Sequence, residues 1–181
     1  MIFVIEHLEP DVFEWCLLEY KHMSKWVGKE NLLFTNTTDS RLMEFGKIEA
    51  RKASELGLKN ACLLDPQAEQ ILTPEEAKKF DYFIFGGILG DNPPRKRTGP
   101  LAEQLAVPRF NIGDKQMSTD TAVIVTKKIA DGKKFEELEF IDDPEIETGE
   151  EESCILPYRY LLVENKPLLA PGVIDLLKEE E

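Results

Sequence analysis

Short apolar runs recur along this chain, each stopping at glycine or a polar residue, and this alternation narrows the possible folds more than any other feature. Ile2-Phe3-Val4-Ile5 ends in Glu6-His7, Leu32 to Phe34 in Thr35, Ala61 to Leu64 in Asp65-Pro66, Tyr82 to Phe85 in Gly86-Gly87, and Arg109 to Ile112 in Gly113-Asp114. Unbroken runs of branched and aromatic residues suit strands covered on both faces, as in a parallel sheet. Helical patterns lie between them. Phe13, Cys16, Leu17, Tyr20 and Val27 share one helical face, with Asp11 and Glu14 spaced as a capping box and Gly28 as a stop. The spacing predicts further helices over Arg41–Leu56 (ended by Gly57), Pro74–Lys79 and Leu101–Leu105, and another from a Ser118 or Thr119 cap to about Ala130. Parallel pairs need crossovers, so the expectation is one α/β domain over residues 1–181, with a mostly parallel sheet and helices on both faces.

Residues 136–152 are rich in Glu and Asp and hold no Lys or Arg. They read as a solvated acidic segment and the one candidate boundary, with too little chain beyond it for a second core. Tyr158–Val163 and Pro167–Ala170 flank Glu164-Asn165-Lys166 as a C-terminal hairpin, and Pro171-Gly172 opens a terminal helix. A formal charge of -13 argues against a protein that grips nucleic acid through its phosphates. It suits a basic partner, or simply keeps the protein soluble. Cys16, Cys62 and Cys154 are scattered and odd in number, so no disulfide framework is expected, and with His7, His22 and no CxxC pair no metal site is expected either. Ile2–Ile5 is too short and too soon followed by charge for a signal peptide, and no run approaches membrane-spanning length. The expected location is the cytoplasm.

The junction Phe85-Gly86-Gly87-Ile88-Leu89-Gly90 presents backbone without β-carbons, against which a ligand can lie. It is no standard nucleotide fingerprint, since GxGxxG needs Gly at Phe85 and the Walker pattern is broken by Asp91-Asn92. A tight turn is the plainer explanation of that junction alone. Leu63-Leu64-Asp65-Pro66-Gln67 and Asn111-Ile112-Gly113-Asp114-Lys115-Gln116-Met117 are similar junctions after strands. Together the three resemble the cofactor loops of SPOUT methyltransferases, and their register is similar to that of the bacterial tRNA guanine-N1 methyltransferases.

A closer resemblance spans nearly the whole chain. Ile5-Glu6-His7, Glu14-Trp15, Leu18-Glu19-Tyr20, Cys62 to Pro66, Phe80 to Asp91, Pro93-Pro94-Arg95, Gly113 to Met117 with Thr119-Asp120-Thr121, and Pro157 to Tyr160 resemble the SPOUT family of protein arginine methyltransferases. The stretch between Thr35 and Leu58 diverges. The resemblance implies a SPOUT-type fold with a deep trefoil knot in its carboxyl half, S-adenosylmethionine as cofactor, and a basic protein substrate such as a small-subunit ribosomal protein. It also implies that the backbones of Leu64, Gly86, Gly87, Ile112, Lys115 and Met117, with Thr119 nearby, hold the adenosyl group. Asp65, Pro66, Gly90, Gly113 and Asp114 would shape the loops, Asp114 having an Asx turn as its alternative role. Leu89 stands where the tRNA enzymes place Glu, so Asp91 is the candidate for that charge.

Methyl transfer to arginine calls for positioning and a proton acceptor, and a guanidinium is best gripped by carboxylates. Glu6, Glu19 and Asp91 are the candidates, with His7 as an orienting or relaying group. A permanent pair with a lysine or arginine is the alternative for Glu19, and a satisfied structural donor for His7. Arg95 and Arg97, with Lys96 between them, are candidates for the cofactor carboxylate or for phosphate, or form a solvated charge run. Trp15 and Trp26 read as core. RNA methylation by the same fold, and an acidic binding protein without activity, are the competing functions.

Overall fold

Each apolar run becomes a strand of one sheet. The computed structural model describes residues 1–87, 98–149 and 152–179. Its elements are β1 (Ile2–His7), α1 (Glu14–Val27), β2 (Leu32–Thr35), β3 (Lys47–Glu49), β4 (Ala61–Leu64), α2 (Pro74–Ala77), β5 (Tyr82–Gly87), α3 (Thr98–Leu105), β6 (Arg109–Phe110) and α4 (Thr119–Ala130). After them come β7 (Phe140–Asp142), β8 (Glu145–Glu147), β9 (Ser153–Ile155), β10 (Arg159–Val163), β11 (Lys166–Pro167) and α5 (Val173–Glu179). The main sheet has the order β3-β2-β1-β5-β4-β6, and every pairing in it is parallel.

Alternate side chains of a strand face opposite ways, which splits the core into two layers. Phe3, Ile5, Phe83 and Phe85 pack with Tyr20 and Met23 of α1 and Val123 and Ile124 of α4. Val4, Leu63 and Ile84 face the other side, against Ala53 and Leu101 of α3. Burying each of these large side chains contributes roughly 1.5–3 kcal/mol, which the polar or glycine-rich strand ends do not share.

Three local expectations are corrected. The helix over Arg41–Leu56 does not form; single 3-10 turns at Ser40–Glu44 and Ala53–Glu55 flank β3, which pairs with β2. Gly46 explains the close crossing, since a β-carbon there would stand 2.6 Å from the carbonyl oxygen of Leu32. The Asp11 capping box is also absent: α1 starts at Glu14, which leaves Phe13, a side chain with no hydrogen-bond acceptor, at the N-cap position, while the Asp11 carbonyl faces His7 Nε2 at 3.2 Å and Arg41 donates to the Val12 carbonyl at 2.9 Å. Finally, the described part of the acidic segment, residues 136–149 and 152, is folded. Glu145 and Glu147 point outward while Ile146 and Thr148 are buried, Ile146 packing with Leu156 and Tyr160, so a period of two was hidden beneath the charge.

β7, β10 and β11 form an antiparallel sheet, with the expected hairpin turning at Glu164 and Asn165, both at positive φ (52° and 61°) as a tight turn requires.

Candidate active site

β5, β4 and β6 are consecutive neighbours and run parallel, so their carboxyl ends lie side by side at the same end of the sheet. This is the arrangement a shared ligand needs, and it arises from strand order, which is not the order in sequence.

The first and third loops are stitched together. Asp65, 2% exposed, donates its N–H to the Phe110 carbonyl at 2.9 Å. Its carboxylate accepts the Gln67 N–H at 3.0 Å and the Arg109 guanidinium at 3.1 Å. Asn111, which sequence reasoning passed over, does more. Its backbone exchanges hydrogen bonds with Gln70 and Leu72 at 2.8 Å each, and its side-chain amide donates to the Ala68 carbonyl at 2.8 Å and accepts the Gly113 N–H at 3.1 Å. The last contact is an Asx turn, so the role held open for Asp114 belongs to Asn111. The available signal was an Asn two residues before a glycine at a strand end.

Gly113 sits at φ +103°, and a β-carbon there would meet the Phe135 ring at 2.8 Å. Leu64 and Ile112 are buried in the core, Pro66, Asp114 and Lys115 are exposed, and Thr119 is buried. Met117 pairs with Arg159, whose N–H donates to the Gln116 carbonyl at 2.8 Å, tying β10 to the third loop. Arg159 in turn grips Asp142 at 2.6 and 2.9 Å and holds that carboxyl below its ordinary range. Gln116 Nε2, in the third loop, is buried and has no hydrogen-bond partner among the described residues.

The glycines of β5 do not behave alike. Gly86 pairs with Glu6 and Gly87 with His7, so both belong to the strand. A β-carbon on Gly87 would stand 2.9 Å from the Tyr20 hydroxyl, and the Gly87 carbonyl accepts the Leu8 N–H at 3.1 Å. The space read as a ligand cradle at Gly87 is filled by the protein's own tyrosine. Gly90, Asp91, Arg95 and Arg97 lie outside the described residues.

The polar candidates are separated by the sheet. Glu6 points to the Val4 side, where its carboxylate accepts the Thr35 hydroxyl and, at 2.8 Å, the Ala53 N–H. His7 points to the opposite side, its Nε2–H toward the Asp11 carbonyl at 3.2 Å and its Nδ1 accepting the Tyr20 hydroxyl at 2.8 Å. Both ring nitrogens are engaged, and burial pushes the His7 pKa down, so the imidazole is a satisfied structural group.

Glu19 accepts the Trp15 indole N–H at 2.8 Å and faces the backbone N–H groups of Thr119 and Asp120. No lysine or arginine among the described residues pairs with it. Burial first, then the neighbouring Asp120, holds its carboxyl well above the ordinary range. A small cavity lies against Glu19, Asp120, Trp15 and Tyr160. His22, Asp120 and Ser118, none of them a catalytic or cofactor-binding candidate in the sequence, extend this cluster. Trp15 and Trp26 pack against apolar neighbours as expected.

A family model described as "Protein arginine N-methyltransferase SFM1-like" matches residues 2–181. The chain is 42% identical to the protein arginine N-methyltransferase SFM1 of Saccharomyces cerevisiae, over 99% of this chain and 95% of the relative. The crystal structure of yeast SFM1 complexed with S-adenosylmethionine superposes with a TM-score of 0.92 at 38% identity, covering 99% of this chain and 90% of the other. A structure of the dual-specific Trm10 of Thermococcus kodakaraensis is similar in fold, with a TM-score of 0.63 at 21% identity over 75% of this chain and 95% of that one.

Proposed function

This chain belongs to the SFM1-like family of protein arginine N-methyltransferases, and from that premise we propose how its own residues perform the transfer. It is an S-adenosylmethionine-dependent methyltransferase of the SPOUT type that acts on arginine in a protein substrate. The observation that carries this reading is the correspondence over 99% of the chain with an arginine methyltransferase whose crystal structure holds that cofactor.

When bound, S-adenosylmethionine would supply a methyl group activated by its sulfonium, the arginine nitrogen bonding in line to the methyl carbon as the carbon–sulfur bond breaks and S-adenosylhomocysteine leaves. The residues present fit such a ligand. The carboxyl ends of β5, β4 and β6 adjoin at one sheet end, Asn111 and Asp65 hold the loops after β4 and β6 together, and Gln116 offers a buried donor with no hydrogen-bond partner among the described residues. We assign the holding of the adenosyl group to the backbones of Leu64, Gly86, Ile112, Lys115 and Met117, with Thr119 beside them. Asp65, Pro66, Gly113 and Asp114 shape their loops, with Gly90 in the same role. Gly87 is assigned a packing role instead, and Arg95 and Arg97 the carboxylate of the cofactor.

Of the catalytic candidates, Glu6, His7 and Glu19 are each engaged by other groups of the protein, which gives them structural roles. Asp91 is therefore the proposed carboxylate that orients the guanidinium and takes its proton. The trefoil knot belongs to the same proposal. From β6, which lies beside β4, the chain returns to pack α4 against β5 and α1, the kind of return path a knot uses.

The proposed substrate is a basic small-subunit ribosomal protein, met in the cytoplasm. Its positive charge complements the -13 of this chain, and no helix among the described residues is long and apolar enough to cross a membrane. The test is transfer of a labelled methyl group to cell extract or isolated ribosomal subunits. Label that survives ribonuclease, disappears with protease and maps to an arginine of a small-subunit protein is the expected outcome. Label removed by ribonuclease alone would establish RNA methylation in its place, and no transfer together with no cofactor binding would leave an inactive binding protein.

A further inference from the structure

The third cofactor loop is anchored at its start by Asn111 and along its side by the Arg159–Gln116 contact. Its far end is held by a group outside the proposed mechanism. Ser118, the last residue before α4, occupies the helix N-cap position but gives that helix no side-chain cap. Its hydroxyl instead donates to Asp120 Oδ1 at 2.6 Å, and the Thr121 hydroxyl lies 2.8 Å from it. The other oxygen of Asp120 meets His22 Nδ1 of α1 at 2.7 Å, a contact across 98 positions of sequence. His22 is itself oriented, because the Trp26 indole N–H donates to its Nε2 at 3.1 Å, leaving Nδ1 to carry the proton toward Asp120.

His22, Asp120 and Ser118 are 4%, 1% and 7% exposed, so this polar chain runs through an interior where an unmade hydrogen bond is costly. A helix start needing only stability would be served by the serine cap that this sequence already supplies. Here the cap is diverted to an aspartate, and the aspartate to a histidine of another helix. We propose that the buried His22–Asp120 pair is a positioning device for S-adenosylmethionine binding, which fixes Ser118 relative to α1 and so sets the path of the third cofactor loop. The inference rests on the reading that this loop holds the cofactor.

The test compares Asp120→Asn, His22→Ala, His22→Asn and Trp26→Phe with Leu42→Ala, a buried control in the 3-10 turn that packs beside β3. Calorimetry gives S-adenosylmethionine affinity, steady-state kinetics give kcat at saturating cofactor, and amide exchange of residues 113–118 is followed without cofactor. Asp120→Asn and His22→Ala are expected to weaken cofactor binding about tenfold, on the scale of losing one hydrogen bond to a charged group, with kcat changed less than about twofold. His22→Asn, whose amide N–H can stand in for Nδ1–H, should recover most of the affinity. Trp26→Phe, which leaves Asp120 intact, should speed exchange at 113–118 even if a harsher variant fails to fold. The proposal is overturned by unchanged affinity, by a loss no larger than that of Leu42→Ala, or by a loss confined to kcat. Should the wild type fail to bind S-adenosylmethionine, the methyltransferase reading falls. Even then, unaltered exchange at 113–118 in His22→Ala would by itself refute the positioning role.

Discussion

At Gly87 a β-carbon would lie 2.8 Å from Ile5 Cγ2 and 2.9 Å from the Tyr20 hydroxyl, so this glycine lets an aromatic residue of α1 seat against the end of β5. Gly87→Ala is expected to destabilise the fold by about 1–3 kcal/mol, the usual range for overpacking. Adding Tyr20→Phe removes the clashing oxygen and should return part of that loss, although His7 Nδ1 then gives up its partner. Urea denaturation of the two single variants and the double variant checks this. Strictly additive costs would mean that the two positions do not meet. The sequence showed a glycine pair after a strand and could not show what fills the gap, because Tyr20 reaches it only through the parallel pairing of β1 with β5. Asp65 was more legible, since an aspartate at a strand end forms its Asx contact with a residue two places on.

The seam between α1 and α4 carries two buried acids, Glu19 and Asp120, with His22 between the helices. Burial and Asp120 raise the Glu19 pKa above 4.5, so the folded state holds that proton more tightly than the unfolded chain does. Its contribution to stability is fully present below pH 4.5 and is lost as pH rises through the elevated folded value. Glu19→Gln should therefore flatten the pH dependence of stability above 4.5 and gain most, relative to wild type, at the alkaline end. Thermal melts of both proteins across that range measure it, and parallel curves would refute it. Among elements, the central strands and α1 and α4 were plain in the sequence because their apolar periodicity is local. The stretch from Ser40 to Glu55 was not, because there pairing of β3 with the sheet edge outweighs helix propensity.

Across the whole molecule, a charge of -13 acts at long range and is screened by salt. For a basic protein substrate KM should rise several-fold between about 0.05 and about 0.5 M salt, with kcat little altered, because screening weakens encounter more than chemistry. Kinetics at graded ionic strength test this, and a salt-independent KM would remove charge from the account of substrate choice. The chain by itself determined the central strands, the main helices and the polar or glycine residues at which those strands end, since each depends on residues within a few positions of one another. Tertiary structure alone decided which loops became neighbours, that Asn111 stitches two of them, and that His22 meets Asp120. Those contacts depend on strand order and on helices brought together from distant parts of the chain, and local periodicity carries no record of either.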